Sequence, residues 1–146
     1  MVSKTKFRKA SELMQVIEGL GYRTTVPREA LVRVIASKDG HFTAEELNRE
    51  LPSVGRATVY RSLNLLEEAG VLCRVLLEDG SLRYQVSHRG HHHHLLCTEC
   101  GQSQDLLGCE IDDLLKERSK QHNFKAESHW LEVYGKCVNC LSKAES

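Results

Sequence analysis

Two Cys-x-x-Cys pairs constrain this chain more than any other feature of it: Cys97-Thr98-Glu99-Cys100 and Cys137-Val138-Asn139-Cys140, separated by 36 residues. A tight turn lets both thiolates of one pair reach the same ion, and a second pair completes a closed tetrahedral set that suits zinc. The interval exceeds what a minimal zinc ribbon needs, so it predicts a helix and a strand whose ends the metal pins together. Two redox-active pairs are the competing reading, but neither pair opens a strand-helix redox unit. Just upstream, His91-His92-His93-His94 runs into Leu95-Leu96 and reads as extended. Alternate strand side chains point to opposite faces, so His91 and His93 share one face and His92 and His94 the other. Four consecutive histidines thus predict two further ion sites, against the blander readings of a polar strand edge or a tag-like run. Residues 110–120 read as a helix burying Ile111, Leu114 and Leu115, with Asp112 beside that stripe. Residues 125–134 read as a strand carrying His129 and Trp130. Borderline-soft ions accept such imidazole and carboxylate groups.

The net charge of zero conceals an asymmetry. Residues 1–90 hold 14 basic against 11 acidic side chains, and residues 91–146 hold 6 against 9. Six of the eight histidines and five of the six cysteines lie in the second stretch. This predicts two domains, 1–87 and 88–146, meeting near the turn signal Asp79-Gly80 and the segment after it. Overall neutrality excludes a simple polybasic nucleic-acid binder but not a local basic surface. No run approaches the roughly 18 apolar residues of a membrane span. The basic N-terminal stretch lacks the apolar block of a signal peptide. The expectation is a cytoplasmic chain without a membrane role, whose cysteines are ligands or reactive thiols rather than disulfides.

The basic stretch reads as helical. Leu13, Val16, Ile17 and Leu20 fall on one face of a helix over residues 11–20, closed by Gly21. Thr25 is a candidate N-cap, with Pro27 in the first turn of a second helix whose buried side carries Ala30, Leu31, Val34 and Ile35. Thr43 with Glu46 forms a capping box for a third helix. A fourth spans residues 56–69, with Val59, Leu63 and Leu66 toward the core. Residues 71–77 and 82–86 read as a hairpin. Helices followed by a hairpin are the order of a winged helix-turn-helix, with the fourth helix as the reader. Its core stripe leaves Arg56, Thr58, Tyr60, Arg61 and Asn64 for phosphates and base edges. A solvated amphipathic helix fits the same periodicity.

With Thr58-Val59-Tyr60-Arg61, the His91–Gly101 run and the late Cys137–Cys140 pair in this order, the sequence resembles the ferric uptake regulator (Fur) family of metal-sensing repressors, over roughly residues 19–140. The resemblance implies an α+β chain: an N-terminal winged helix-turn-helix domain, a hinge, and a small α/β dimerisation domain. It implies homodimers on A/T-rich palindromic double-stranded DNA, with two reading helices spaced for the major groove. Carried over by position, Cys97, Cys100, Cys137 and Cys140 match the structural zinc site. His91, His93, Asp112 and His129 match the site within the dimerisation domain. His92 and His94 match the hinge sensory site. Gln85, after Tyr84, stands where iron sensors of the family usually carry a glutamate. Cys73 stands where zinc sensors often have Asp or His, and Ser87 where their cysteine often is, with His88 beside it. The expected sensory set is therefore Cys73, His88, His92 and His94, a thiolate there favouring zinc over ferrous iron. His41 resembles a histidine that iron and peroxide sensors recruit from the DNA-binding domain and is an alternative to His88. Asp105 and Glu110 are alternative carboxylates. Cys109 has no counterpart and reads as a spare thiol or small buried residue. The DNA contacts implied are Tyr60 and Arg61, with Arg56, Ala57 and Thr58 at the helix start and Arg23 or Tyr22 near the backbone.

The resulting expectation is a metal-dependent transcriptional repressor of metal-homeostasis genes, not an enzyme. It carries structural Zn2+ and a regulatory Zn2+ or Fe2+, zinc being favoured. An iron-, peroxide- or other-metal-responsive member of the family is the nearest rival. A zinc storage or interaction module without a DNA role is the rival of another class. A zinc hydrolase is disfavoured because no paired general base accompanies the histidines.

Overall fold

A computed structural model describes residues 9–86 and 90–145. The chain divides between Gly90 and His91 into two compact units.

The first unit begins with α1 (Ala10–Gly19), which buries Leu13, Met14 and Ile17. α2 (Val26–Ser37) opens where the Thr25 side chain accepts the Arg28 N–H and buries Leu31, Val32 and Ile35, while Ala30 and Val34 are only half-buried. α3 (Ala44–Glu50) starts on the expected capping box: the Thr43 hydroxyl accepts the Glu46 N–H, and the Glu46 carboxylate accepts the Thr43 N–H. After a short turn α4 (Arg56–Glu68) buries Val59, Ser62, Leu63, Leu65 and Leu66. The period-3.6 spacing of its apolar residues leaves the opposite face polar.

The chain then forms the antiparallel hairpin β1 (Leu72–Leu76) and β2 (Leu82–Val86). Phe42, just before α3, pairs with Tyr84 through two backbone hydrogen bonds of 2.8 and 2.7 Å. That bridge ties the hairpin to the helices, and an Arg83–Glu46 ion pair reinforces it. The helices and hairpin share one apolar core, in which Phe42, Leu31, Leu47 and Leu63 are wholly buried. This is the winged helix-turn-helix that the sequence predicted.

The second unit is a three-stranded sheet of order β4-β3-β5. β3 (His92–Cys97) is central, antiparallel to β4 (Ser103–Leu107) and parallel to β5 (Glu132–Gly135). The parallel pairing requires a crossover, which α5 (Asp112–Gln121) supplies, and α6 (Val138–Ala144) ends the unit.

Two expectations are corrected here. β5 spans only four residues, so His129 and Trp130 lie on irregular backbone before it. The strand can start only where β3 offers a partner, and their register begins at His94 opposite Glu132. α5 buries no side chain: Leu114 is 55% and Leu115 37% exposed, and Ile111 is half-buried. Its apolar stripe is real, but among the described residues it is only partly covered. No helix among the described residues is long and apolar enough to cross a membrane.

Candidate metal centres and DNA interface

The four cysteines of the two pairs converge. β3 ends at Cys97, whose register partner in β5 is Gly135. The two strands run parallel, so the turn after each emerges at the same end of the sheet. Thr98 donates its backbone N–H to the Gly135 carbonyl at 2.8 Å, and Lys136 pairs with Glu99 at 2.6 Å, which fastens one turn to the other. Gly101, at φ 74°, closes the first turn in a conformation other residues seldom adopt. The Cys97 and Cys140 sulfurs are 3.7 Å apart, and so are those of Cys100 and Cys137. All four lie within 4.8 Å of one another. A tetrahedron of thiolates at the zinc–sulfur bond length has edges of about 3.8 Å, close to these two separations, so the donors suit zinc.

The electrostatics point the same way. Backbone N–H groups of Cys100, then Cys137, draw the Cys97 thiol down to about 6. The neighbouring Cys137 thiol, then burial, pushes Cys140 up to about 12. The cluster readily ionises Cys97 and resists ionising Cys100 and Cys140 until a cation balances them.

Both faces of β3 and its approach hold the imidazoles. His91 and His93 project to one side and meet His129. The Nε2 atoms of His91 and His129 are 3.0 Å apart, and those of His93 and His129 3.4 Å. His93 is 3% exposed. Burial, and then the neighbouring His91, hold its basicity below the usual histidine value, which favours the neutral, ligating form. Asp112, the expected fourth member, approaches from the far side of the ring: its Oδ1 is 3.5 Å from His129 Nδ1, and its Oδ2 pairs with Lys116 at 2.7 Å. The group that joins the three Nε2 atoms is instead the Cys109 thiol, 3.2 Å from His129 Nε2. Gly108, at φ 83°, turns the chain after β4 to bring it there.

On the opposite face His92 and His94 stack edge to face with ring centroids 5.0 Å apart. His94 sits between carboxylates of both neighbouring strands, being in register with Asp105 on β4 and Glu132 on β5. Glu132 Oε1 is 2.8 Å from His94 Nδ1, and Asp105 Oδ1 is 3.8 Å from Nε2. The Glu132 contact fixes the ring through Nδ1 and leaves Nε2 on the side of Asp105, the arrangement by which a carboxylate orients a ligating histidine. Glu132 escaped the sequence reading because only the β3–β5 register brings it to His94. Glu110 is exposed and belongs to none of these groups.

In the first unit Cys73 lies on β1 opposite Gln85, its sulfur 3.6 Å from the Gln85 carbonyl oxygen. His41 is half-buried beside Phe42. Ser87 and His88 lie outside the described residues.

Arg56, Ala57, Tyr60 and Arg61 are exposed at the start of α4, with Thr58 half-buried. Tyr60 donates its hydroxyl to Glu45 on α3 at 2.9 Å. That hydrogen bond is the main reason its phenol loses its proton less readily than an ordinary tyrosine. The Arg23 carbonyl accepts from Arg28 at 2.7 Å, and the Arg23 residue is exposed before α2.

A winged helix-turn-helix followed by a thiolate- and imidazole-rich α/β unit defines a metal-responsive DNA-binding transcription regulator. The comparisons with known proteins identify which kind. The model of the "Ferric uptake regulator family" matches residues 19–134. The ferric uptake regulation protein of Campylobacter upsaliensis is 34% identical over 131 residues, covering 86% of this chain and 84% of that one. The Vibrio cholerae ferric uptake regulator structure is 33% identical, with a TM-score of 0.57 over 84% of this chain and 98% of that one. A zinc uptake regulator solved with zinc and DNA superposes at a TM-score of 0.76, covering 94% and 95% of the two chains, at 20% identity. That likeness bears on the fold alone. The chain belongs to the ferric uptake regulator family, whose members regulate transcription and are not enzymes.

Proposed function

We propose that this regulator is a zinc-responsive repressor of metal-homeostasis genes. The observation that carries the proposal is the Cys73 thiol on β1 facing Gln85, where a carboxylate would have suited iron. A thiolate is a softer ligand than carboxylate and favours zinc over ferrous iron. The sensory set is Cys73, His88, His92 and His94, with His41 as the alternative to His88. The ion acts as a co-repressor: it shifts the protein toward its operator-binding form to the extent that it binds that form more tightly. The four cysteines hold a structural zinc that is part of the fold, and His91, His93, Asp112 and His129 serve a further site.

The operator is double-stranded and A/T-rich, read as a palindrome by a homodimer in the cytoplasm. The exposed stripe on α5 and the exposed Val133 and Tyr134 of β5 supply apolar surface for such a dimer. Arg56, Thr58, Tyr60, Arg61 and Arg23 provide the DNA contacts.

Iron sensing is the second reading. It is favoured by the relatives at 33–34% identity, which are ferric uptake regulation proteins. The test is operator binding titrated at controlled free Zn(II), Fe(II), Mn(II) and Ni(II), with bound metal measured in parallel. Binding induced at the lowest free zinc, and weakened in Cys73→Ser, is the expected result. Half-maximal binding at physiological Fe(II) but not Zn(II), unchanged in Cys73→Ser, overturns it.

A further inference from the structure

We infer that Cys109 is the fourth ligand of the three-histidine site, which makes that site a closed three-nitrogen, one-sulfur centre selective for zinc, with Asp112 as a positioning residue. The inference rests on the proposed presence of an ion at His91, His93 and His129.

His129 Nε2 has three close neighbours: His91 Nε2 at 3.0 Å, Cys109 Sγ at 3.2 Å and His93 Nε2 at 3.4 Å. One imidazole nitrogen carries either a single proton or a single lone pair. It cannot satisfy three partners by hydrogen bonding. A cation can, since all four atoms would then direct lone pairs at one point. Nitrogens around zinc in tetrahedral array stand about 3.3 Å apart, close to the separations here.

The carboxylate is placed differently. Asp112 Oδ1 lies 3.5 Å from Nδ1 of His129, the nitrogen on the far side of the ring from the cluster, and its other oxygen is held by Lys116. A carboxylate on the outer nitrogen of a ligating histidine fixes ring orientation and strengthens the ligand. Exchanging a carboxylate for a thiolate in the inner set also changes selectivity. Oxygen donors suit manganese, whereas thiolate moves the preference toward zinc.

The test uses the full chain in a Cys73→Ser background, so that Cys109 is the only thiol outside the four-cysteine site, which stays zinc-loaded. Co(II) is titrated in, with zinc content measured in parallel. The expected results are one equivalent of Co(II), lost in His93→Ala, that gives a near-ultraviolet thiolate-to-cobalt charge-transfer band, and a cobalt-edge X-ray absorption spectrum showing sulfur beside nitrogens. Cys109→Ser loses the band and binds at least tenfold more weakly. Asp112→Asn keeps the band with a smaller loss of affinity. Cys109→Asp lowers the zinc-over-manganese preference at least tenfold. Co(II) bound through His93 with no sulfur in its coordination sphere, or bound equally well by Cys109→Ser, overturns the role of Cys109 and leaves the three-histidine site standing. No Co(II) uptake beyond the four-cysteine site, or uptake unaffected by His93→Ala, overturns the three-histidine reading and the present inference with it. The X-ray measurement needs no Cys109 variant and decides the matter even if such variants misfold.

Discussion

The largest fully buried side chains among the described residues all lie in the first unit: Leu13, Leu31, Phe42, Leu63 and their neighbours close a core that needs nothing else. The second unit buries Leu96, Cys97, Cys140, His93 and His94, and leaves Leu107, Leu114, Phe124, Trp130 and Tyr134 exposed. Four of those five buried residues are therefore metal ligands by chemistry. One unit is held by the hydrophobic effect. The other buries little apolar surface, and its four converging thiols suit a structural zinc.

Breaking the metal should separate the two units most sharply. Cys140→Ser is expected to abolish the structural zinc and unfold the second unit, since a structural site contributes its binding energy directly to folding. The first unit should keep its helices. Zinc content, with residue-level hydrogen exchange on both units, checks this, and a zinc-free variant with a protected β3 would contradict it.

Leu63→Ala attacks the other side of the comparison. Loss of a wholly buried leucine costs about 2–5 kcal/mol. The expected result is a lowered unfolding midpoint for the helices, with zinc stoichiometry at the four cysteines unchanged. Leu114→Asp should act on neither core. Leu114 is mostly exposed in the single chain, so the variant should remain folded and zinc-loaded but sediment as a monomer.

The pH response sharpens the contrast further. In the metal-free protein Cys97 is depressed to about 6. Its thiolate therefore adds stability that is fully present above the ordinary thiol value near 9 and is lost as pH falls through about 6. Cys140, raised to about 12, acts in the opposite sense: its preference for the protonated form favours the fold below about 9 and is lost as pH rises toward 12. Thiolate absorbance of the metal-free chain should rise in well-separated steps. With zinc bound, all four sulfurs should stay ionised through neutral pH, and acid should release the ion. The smallest effect is expected from Thr43→Ala, which removes the α3 cap at a cost of about 1 kcal/mol, readable in thermal unfolding of the first unit alone.

What was legible beforehand follows the range of the signal. The Thr25 cap, the Thr43–Glu46 box and the leucine stripe of α4 are written within a few residues of sequence, and each appears as read. The convergence of the two cysteine pairs was equally legible, because four thiols at those spacings suit one closed zinc site. The strand over 125–134 was read too long, since a period-2 pattern does not reveal how many residues of the partner strand are available for pairing. The helix over 110–120 was placed nearly correctly, but its stripe was assigned to the chain's own interior. Amphipathic periodicity states that a face seeks cover, not whose surface provides it.

The alternation along His91–His94 was determined by sequence alone, because the pleat of a strand assigns sides with a fixed period of two. Which groups join each side was decided only in three dimensions. Glu132 reaches His94 through the parallel register of β5 on β3, and Cys109 reaches His129 through a glycine turn and a crossover. Neither has any periodic relation to its partner in the chain. Local rules therefore named the metal-binding strand, while long-range pairing chose the company its histidines keep.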